Sequence, residues 1–108
     1  MAKLEKTLNG NFDEIINRIT NGILSGSSTA SLEEKSDFIT ENARCSVRVF
    51  ERYSYTGGNR LSLSITLFQG ENNEIFLSAI TAGGSQAMLF KINTFGEEAF
   101  LDKLKELI

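Results

Sequence analysis

Three groups of residues in this sequence could do chemistry. Gly83-Gly84-Ser85-Gln86 sets two glycines ahead of two polar side chains, and successive backbone N–H groups in such a turn can cradle an anion. Lys91 follows six residues after Ser85, a spacing that leaves room for a Ser–Lys nucleophilic pair. In Glu51-Arg52-Tyr53-Ser54-Tyr55 a carboxylate alternates with two tyrosines. Buried beside them, Glu51 would have a raised pKa and could serve as a general acid or base. Finally, Arg44, Arg48 and Arg52 recur every four residues along one extended face. With Phe50 and Phe68 they would form an aromatic and cationic surface suited to an acidic partner or to a second subunit.

Each group also has a plain structural reading. The glycines lead into another apolar segment, with neither a G-x-x-x-x-G-K-[ST] nor a G-x-G-x-x-G pattern, so a turn is preferred over a phosphate loop. Ser85 has no histidine to activate it, because the chain contains none. Glu51 can sit at the rim of a sheet or pair with an Arg or Lys, since an unpaired buried charge is too costly. No catalytic residue is assigned. Ligand-binding candidates are Glu51, Tyr53, Tyr55, Gly83, Gly84, Ser85 and Gln86; interface candidates are Arg44, Arg48, Phe50, Arg52 and Phe68.

Composition narrows the function classes. The net charge of −3 argues against nucleic acid or an anionic membrane as the main partner, since both need a basic footprint. Lacking histidine and with a single cysteine, the chain cannot assemble a Cys/His zinc site, and no metal or cofactor is expected. Cys45 alternates with apolar neighbours and is expected to be a small buried thiol. The opening MAKLEKTLNG has no apolar core of a signal peptide, and no apolar run is long enough to span a membrane. A single cytoplasmic domain over 1–108 is expected.

The elements that must position these residues follow from periodicity. Residues 2–8 suit a short edge strand. Phe12, Ile15, Ile16, Ile19 and Ile23 lie on one helical stripe, with Asn11 as the N-cap and Glu14 three residues later. Residues 31–39 fit helix, loop or strand, and a strand along the sheet edge is preferred. From Arg44 to Gly84 the pattern is three antiparallel strands. Cys45, Val47 and Val49 are set against the arginines, and Leu61, Leu63, Ile65 and Leu67 against serines and threonine.

A three-residue loop at Gly57-Gly58-Asn59 is expected to pair Val49 with Leu67 and Tyr53 with Leu63, which sends Val49, Glu51 and Tyr53 to the core and the arginines to solvent. In the next strand Phe76, Ser78 and Ile80 compete with Ile75, Leu77 and Ala79 for the inner face. AMLFKI (87–92) reads as a further strand. A closing helix is expected from a Thr94–Glu97 capping box, with Phe100, Leu101, Leu104, Leu107 and Ile108 on one face. The fold class is thus α+β: an antiparallel meander with two helices on one face, in the order β-α-β-β-β-β-β-α.

This order resembles helix-grip domains, which enclose apolar ligands, and the smaller TATA-binding-protein-like scaffold. Two stretches, VRVFERYS (47–54) and AGGSQAMLFKINTFGEEAFL (82–101), are similar to signatures of a small uncharacterised bacterial family, mainly Gram-positive, of unknown function. The resemblance implies a single bacterial cytoplasmic domain and carries no catalytic residues. The expected function is a non-enzymatic binding or protein-interaction module, as a homodimer packed sheet to sheet. The alternatives are a carrier of a small apolar ligand between sheet and helices, lined near Glu51, Tyr53 and Tyr55, and a hydrolase-like enzyme using Glu51 or Ser85.

Overall fold

The computed structural model describes residues 1–53, 60–83 and 90–108, with the side chains of 97–108 in the last of these stretches. In chain order the elements are β1 (Ala2–Leu8), α1 (Phe12–Ser25), β2 (Ser31–Ile39), β3 (Arg44–Tyr53), β4 (Arg60–Gln69), β5 (Ile75–Gly83) and α2 (Phe90–Lys105). The strands form one antiparallel sheet in the order β1-β5-β4-β3-β2. β1 and β2 are therefore the two edges, and α1 carries the chain from one edge to the other.

Local chemistry accounts for α1. Gly10 turns the chain out of β1 at φ +135°, a conformation that suits glycine. Asn11 stays extended, and its side-chain Oδ1 accepts the Glu14 N–H at 2.9 Å. The expected stripe of Phe12, Ile15, Ile16, Ile19 and Ile23 is buried throughout. Opposite it, Leu61, Leu63, Ile65 and Leu67 of β4 and Ile75, Leu77 and Ala79 of β5 face the helices, and Phe100, Leu101 and Leu104 of α2 complete the core. The competition within β5 is thus resolved, with Phe76 and Ile80 turned outward. Residues 31–39 form an edge strand, as preferred from the sequence.

Two expectations are corrected. The sheet has five strands among the described residues, and residues 90–92 of the supposed sixth strand open α2. A short apolar run such as AMLFKI does not distinguish strand from helix by periodicity. Because α2 begins at Phe90, Thr94 and Glu97 lie within the helix and not at its cap.

The second correction is one of register. β3 pairs with β4 so that Phe50 meets Leu63, Arg52 meets Leu61 and Val49 meets Ser64. Relative to the expected pairing, β3 is displaced by three residues. An odd displacement reverses the face of every side chain. The loop residues 57–59 on which the expected register was built lie outside the described residues. Arg44, Ser46, Arg48, Phe50 and Arg52 consequently share the helix-covered face with the β4 leucines, and Cys45, Val47, Val49, Glu51 and Tyr53 stand on the outer face.

Phe50, fully buried, decides this choice, because the alternative register would expose a large aromatic and place Glu51 in the core. Phe50→Ala should therefore cost about 3–5 kcal/mol. Phe68→Ala on the outer face should cost less than about 1 kcal/mol. Urea unfolding of the two variants checks the assignment, and equal losses would overturn it.

Candidate functional site

The three arginines are structural partners on the helix side. Arg44 stacks over the Phe12 ring, with Cζ 4.1 Å from the centroid, and pairs with Asp13 in the first turn of α1 at 2.7 Å. Arg52 is only 7% exposed and lies 4.4 Å over the Phe100 ring of α2. Between them, Arg48 donates to Asp37 Oδ1 on β2 at 2.9 Å. Long aliphatic stems and flat guanidinium groups let arginine occupy such places, burying carbon against the core while the charge meets a ring or a carboxylate. Of the expected interface residues, only Phe68 stands on the outer face; Arg44, Arg48, Phe50 and Arg52 are turned the other way, for the reason of register given above.

The titration of Asp37 is clearly displaced. The Ser46 hydroxyl, 2.6 Å from Oδ1, and the Arg48 guanidinium hold its carboxyl below the ordinary range. Both bonds go to one oxygen, so this aspartate ties β2 to β3.

Glu51 and Tyr53 face away from the helices, and not into a space between sheet and helices. Glu51 is paired with Arg60, which also lies 4.0 Å from Glu33 and 5.9 Å from the Tyr53 ring. Across β4, Ser62 and Ala82 continue the row from Glu51. These residues and Gly83 border a shallow depression of about 230 Å³, below the ~300 Å³ typical of a small-molecule pocket. The structure therefore brings Glu51, Tyr53 and Gly83 to one end of the sheet and adds Arg60 and Ser62, which sequence reasoning did not single out. Tyr55, Gly84, Ser85 and Gln86 lie outside the described residues, as does the side chain of Lys91. A larger hollow, about 450 Å³, lies between the turns at 39–44 and 69–73 and is bordered mainly by polar residues. Among the described residues no group of His, Cys, Asp or Glu could hold a metal ion, and no helix is long and apolar enough to cross a membrane.

The outer face of the sheet is the most distinctive surface. Its first row runs Thr7, Phe76, Phe68, Cys45, Phe38 from edge to edge, and the third runs Lys3, Ile80, Ser64, Val49, Glu34. Phe38 is 65% exposed, Phe76 46%, Phe68 43% and Ile80 42%. Cys45, expected as a buried thiol, is half-buried here, paired with Phe38 on one side and Phe68 on the other. A groove of about 340 Å³ opens toward the β1 edge, bordered by Lys6, Thr7, Thr66, Phe68 and Phe76. The signal for this face was present in β5, where two alternating sets were apolar at once. An apolar set on each side of one strand means that both faces avoid water.

Over its whole length, residues 1–108, the chain matches the model of a family of unknown function (DUF6054), and it belongs to that family. No curated protein matches it.

Asp37→Asn removes the displaced carboxyl. Its folded pKa is lowered, so its stabilisation is fully present above the unfolded value of about 3.9 and is lost as pH falls through the folded one. At pH 7 the variant should melt about 2–4 °C below the parent. The two melting curves should converge in acid, as the pH falls below that lowered folded value. A difference that persists in acid would mean that Asp37 acts through packing and not through its charge.

Proposed function

We propose that this protein is a non-enzymatic interaction module of the bacterial cytoplasm that works through the outer face of its sheet. The observation that carries this reading is the exposure of Phe38, Phe68, Phe76 and Ile80 on one continuous five-stranded surface. The open face of an antiparallel sheet is ordinarily polar, and monomeric proteins rarely expose contiguous apolar patches beyond a few hundred Å². Here the inner strands β5, β4 and β3 carry Val, Ile, Phe and small hydroxyl residues, while Lys3, Glu5 and Glu34 lie on the edge strands. Apolar side chains on the inner strands, aromatics among them, and charges on the edge strands are the composition of a protein interface. Among the described residues, Glu51 is engaged with Arg60 and Asp37 with Ser46 and Arg48.

A photo-crosslinking amino acid at Ile80, expressed in the native host and irradiated, tests the surface. The same probe at Asn17, exposed on α1, is the control. Adducts are expected from position 80 and not from position 17. Equal labelling at both, or none at either, would overturn the proposal. The adduct mass identifies the partner.

A further inference from the structure

We infer that the occupant of this face is a second copy of the same chain, packed sheet on sheet about a two-fold axis parallel to β4. The inference rests on the proposed interaction surface and names its partner.

The argument is one of self-complementarity. A two-fold axis lying between two stacked sheets and running along β4 keeps each row at its own height and reverses its order. β1 then lies over β2 of the second copy, β5 over β3, and β4 over itself. In the third row, Lys3 at one edge comes over Glu34 at the other, twice in each dimer, and Ile80 comes over Val49. Within its own strand Lys3 is 3.4 Å from Glu5, so its ammonium would bridge two carboxylates. In the first row, Phe38 comes over the Thr7 edge, where the groove of about 340 Å³ opens beside Phe76. The most exposed of the outer-face aromatics and the groove on that face are thus placed as knob and hole on opposite sides of the axis. Along the axis itself, Ser62, Ser64 and Thr66 face their own copies, small enough for the sheets to approach to the usual ~10 Å, and at one end the two Phe68 rings meet each other.

The other two-fold choice, with the axis across the strands, fits less well. It sets the Phe68 row over the row of Glu51 and Ser62 and leaves each edge strand over its own copy. Lys3 then meets Glu5 of the second copy, Glu34 is left over Ser36 with no cation opposite, and Phe38 falls over Ser31 and away from the groove.

Size is consistent with a reversible dimer. Five strands about 4.8 Å apart, four rows deep, offer roughly 600 Å² on each copy, at the low end for specific interfaces. A dissociation constant on the order of micromolar is expected.

Sedimentation velocity over a concentration series tests this. The parent chain should dimerise with a Kd of roughly 1–50 µM. Lys3→Glu and Glu34→Lys should each weaken the dimer about tenfold, since each introduces two like-charge contacts. The double variant, which restores both pairs with their signs exchanged, should return to within about threefold of the parent. Phe38→Ser, on an exposed edge strand, should raise the Kd by more than about tenfold and leave the monomer folded by circular dichroism. A chain that stays monomeric at about 200 µM, well above that expected range, overturns the inference. So does a dimer in which the charge exchange fails to rescue, because the axis would then lie elsewhere. Either failure leaves the interaction surface itself standing if the Ile80 probe captures a protein of another mass, whereas an absence of adducts removes both.

Discussion

The pairing of Phe50 with Leu63 across β3 and β4 is the contact on which the rest of the molecule depends. It fixes which side of β3 meets the helices, and a strand offers no intermediate choice, because its side chains alternate strictly. Once Phe50 is in the core, Arg44 and Arg52 must follow it to the same side. Each then needs a place where its stem is buried and its charge is not abandoned. The rings of Phe12 and Phe100 supply those places, one on each helix. The arginines thus link the sheet to both helices: Arg44 at the start of α1, reinforced by Asp13, and Arg52 against the middle of α2.

The same register determines the outer surface. Sending Phe50 inward sends Cys45, Val47 and Val49 outward, where they join Phe68, Phe76 and Ile80 from the neighbouring strands. The expected register would have put these valines in the core and left a cationic outer face. A water-exposed sheet built of valines, isoleucine and phenylalanines gains by being covered. The apolar outer face is therefore the direct consequence of a core that takes in arginines and puts out valines, and its proposed role follows from that exchange.

Much of the fold was legible because short-range signals agreed. The Asn11 cap, the five-residue stripe of α1, the alternation of β4 and the edge position of β1 each rest on contacts within one element or one turn. The faces of β3 were not legible. Alternation separates Cys45, Val47 and Val49 from the arginines but does not say which set lies under the helices, and hydrophobicity alone points to the wrong one. What decided the matter was Phe50 within the arginine set, together with stacking partners remote in sequence: Phe12, 32 residues before Arg44, and Phe100, 48 residues after Arg52. For the same reason the residues expected on the outer face are not the ones that stand there, with Phe68 the one in common. The N-terminal part of α2 was misread because six mostly apolar residues suit either period.

The small hydroxyl residues temper the apolar character of this surface. Ser62, Ser64 and Thr66 on β4, Ser78 on β5, Ser36 on β2 and, at the edge of the first row, Thr7 on β1 place at least one hydroxyl in every row of the outer face. A hydroxyl can bond to water when the face is open and to a facing hydroxyl when it is closed, so neither state leaves it unpaired. A face made only of valine and phenylalanine would bind indiscriminately, whereas one studded with hydroxyls closes well only on a surface whose polar groups fall in matching positions. A second copy turned about β4 meets that condition along the axis, since each central hydroxyl then faces its own equivalent.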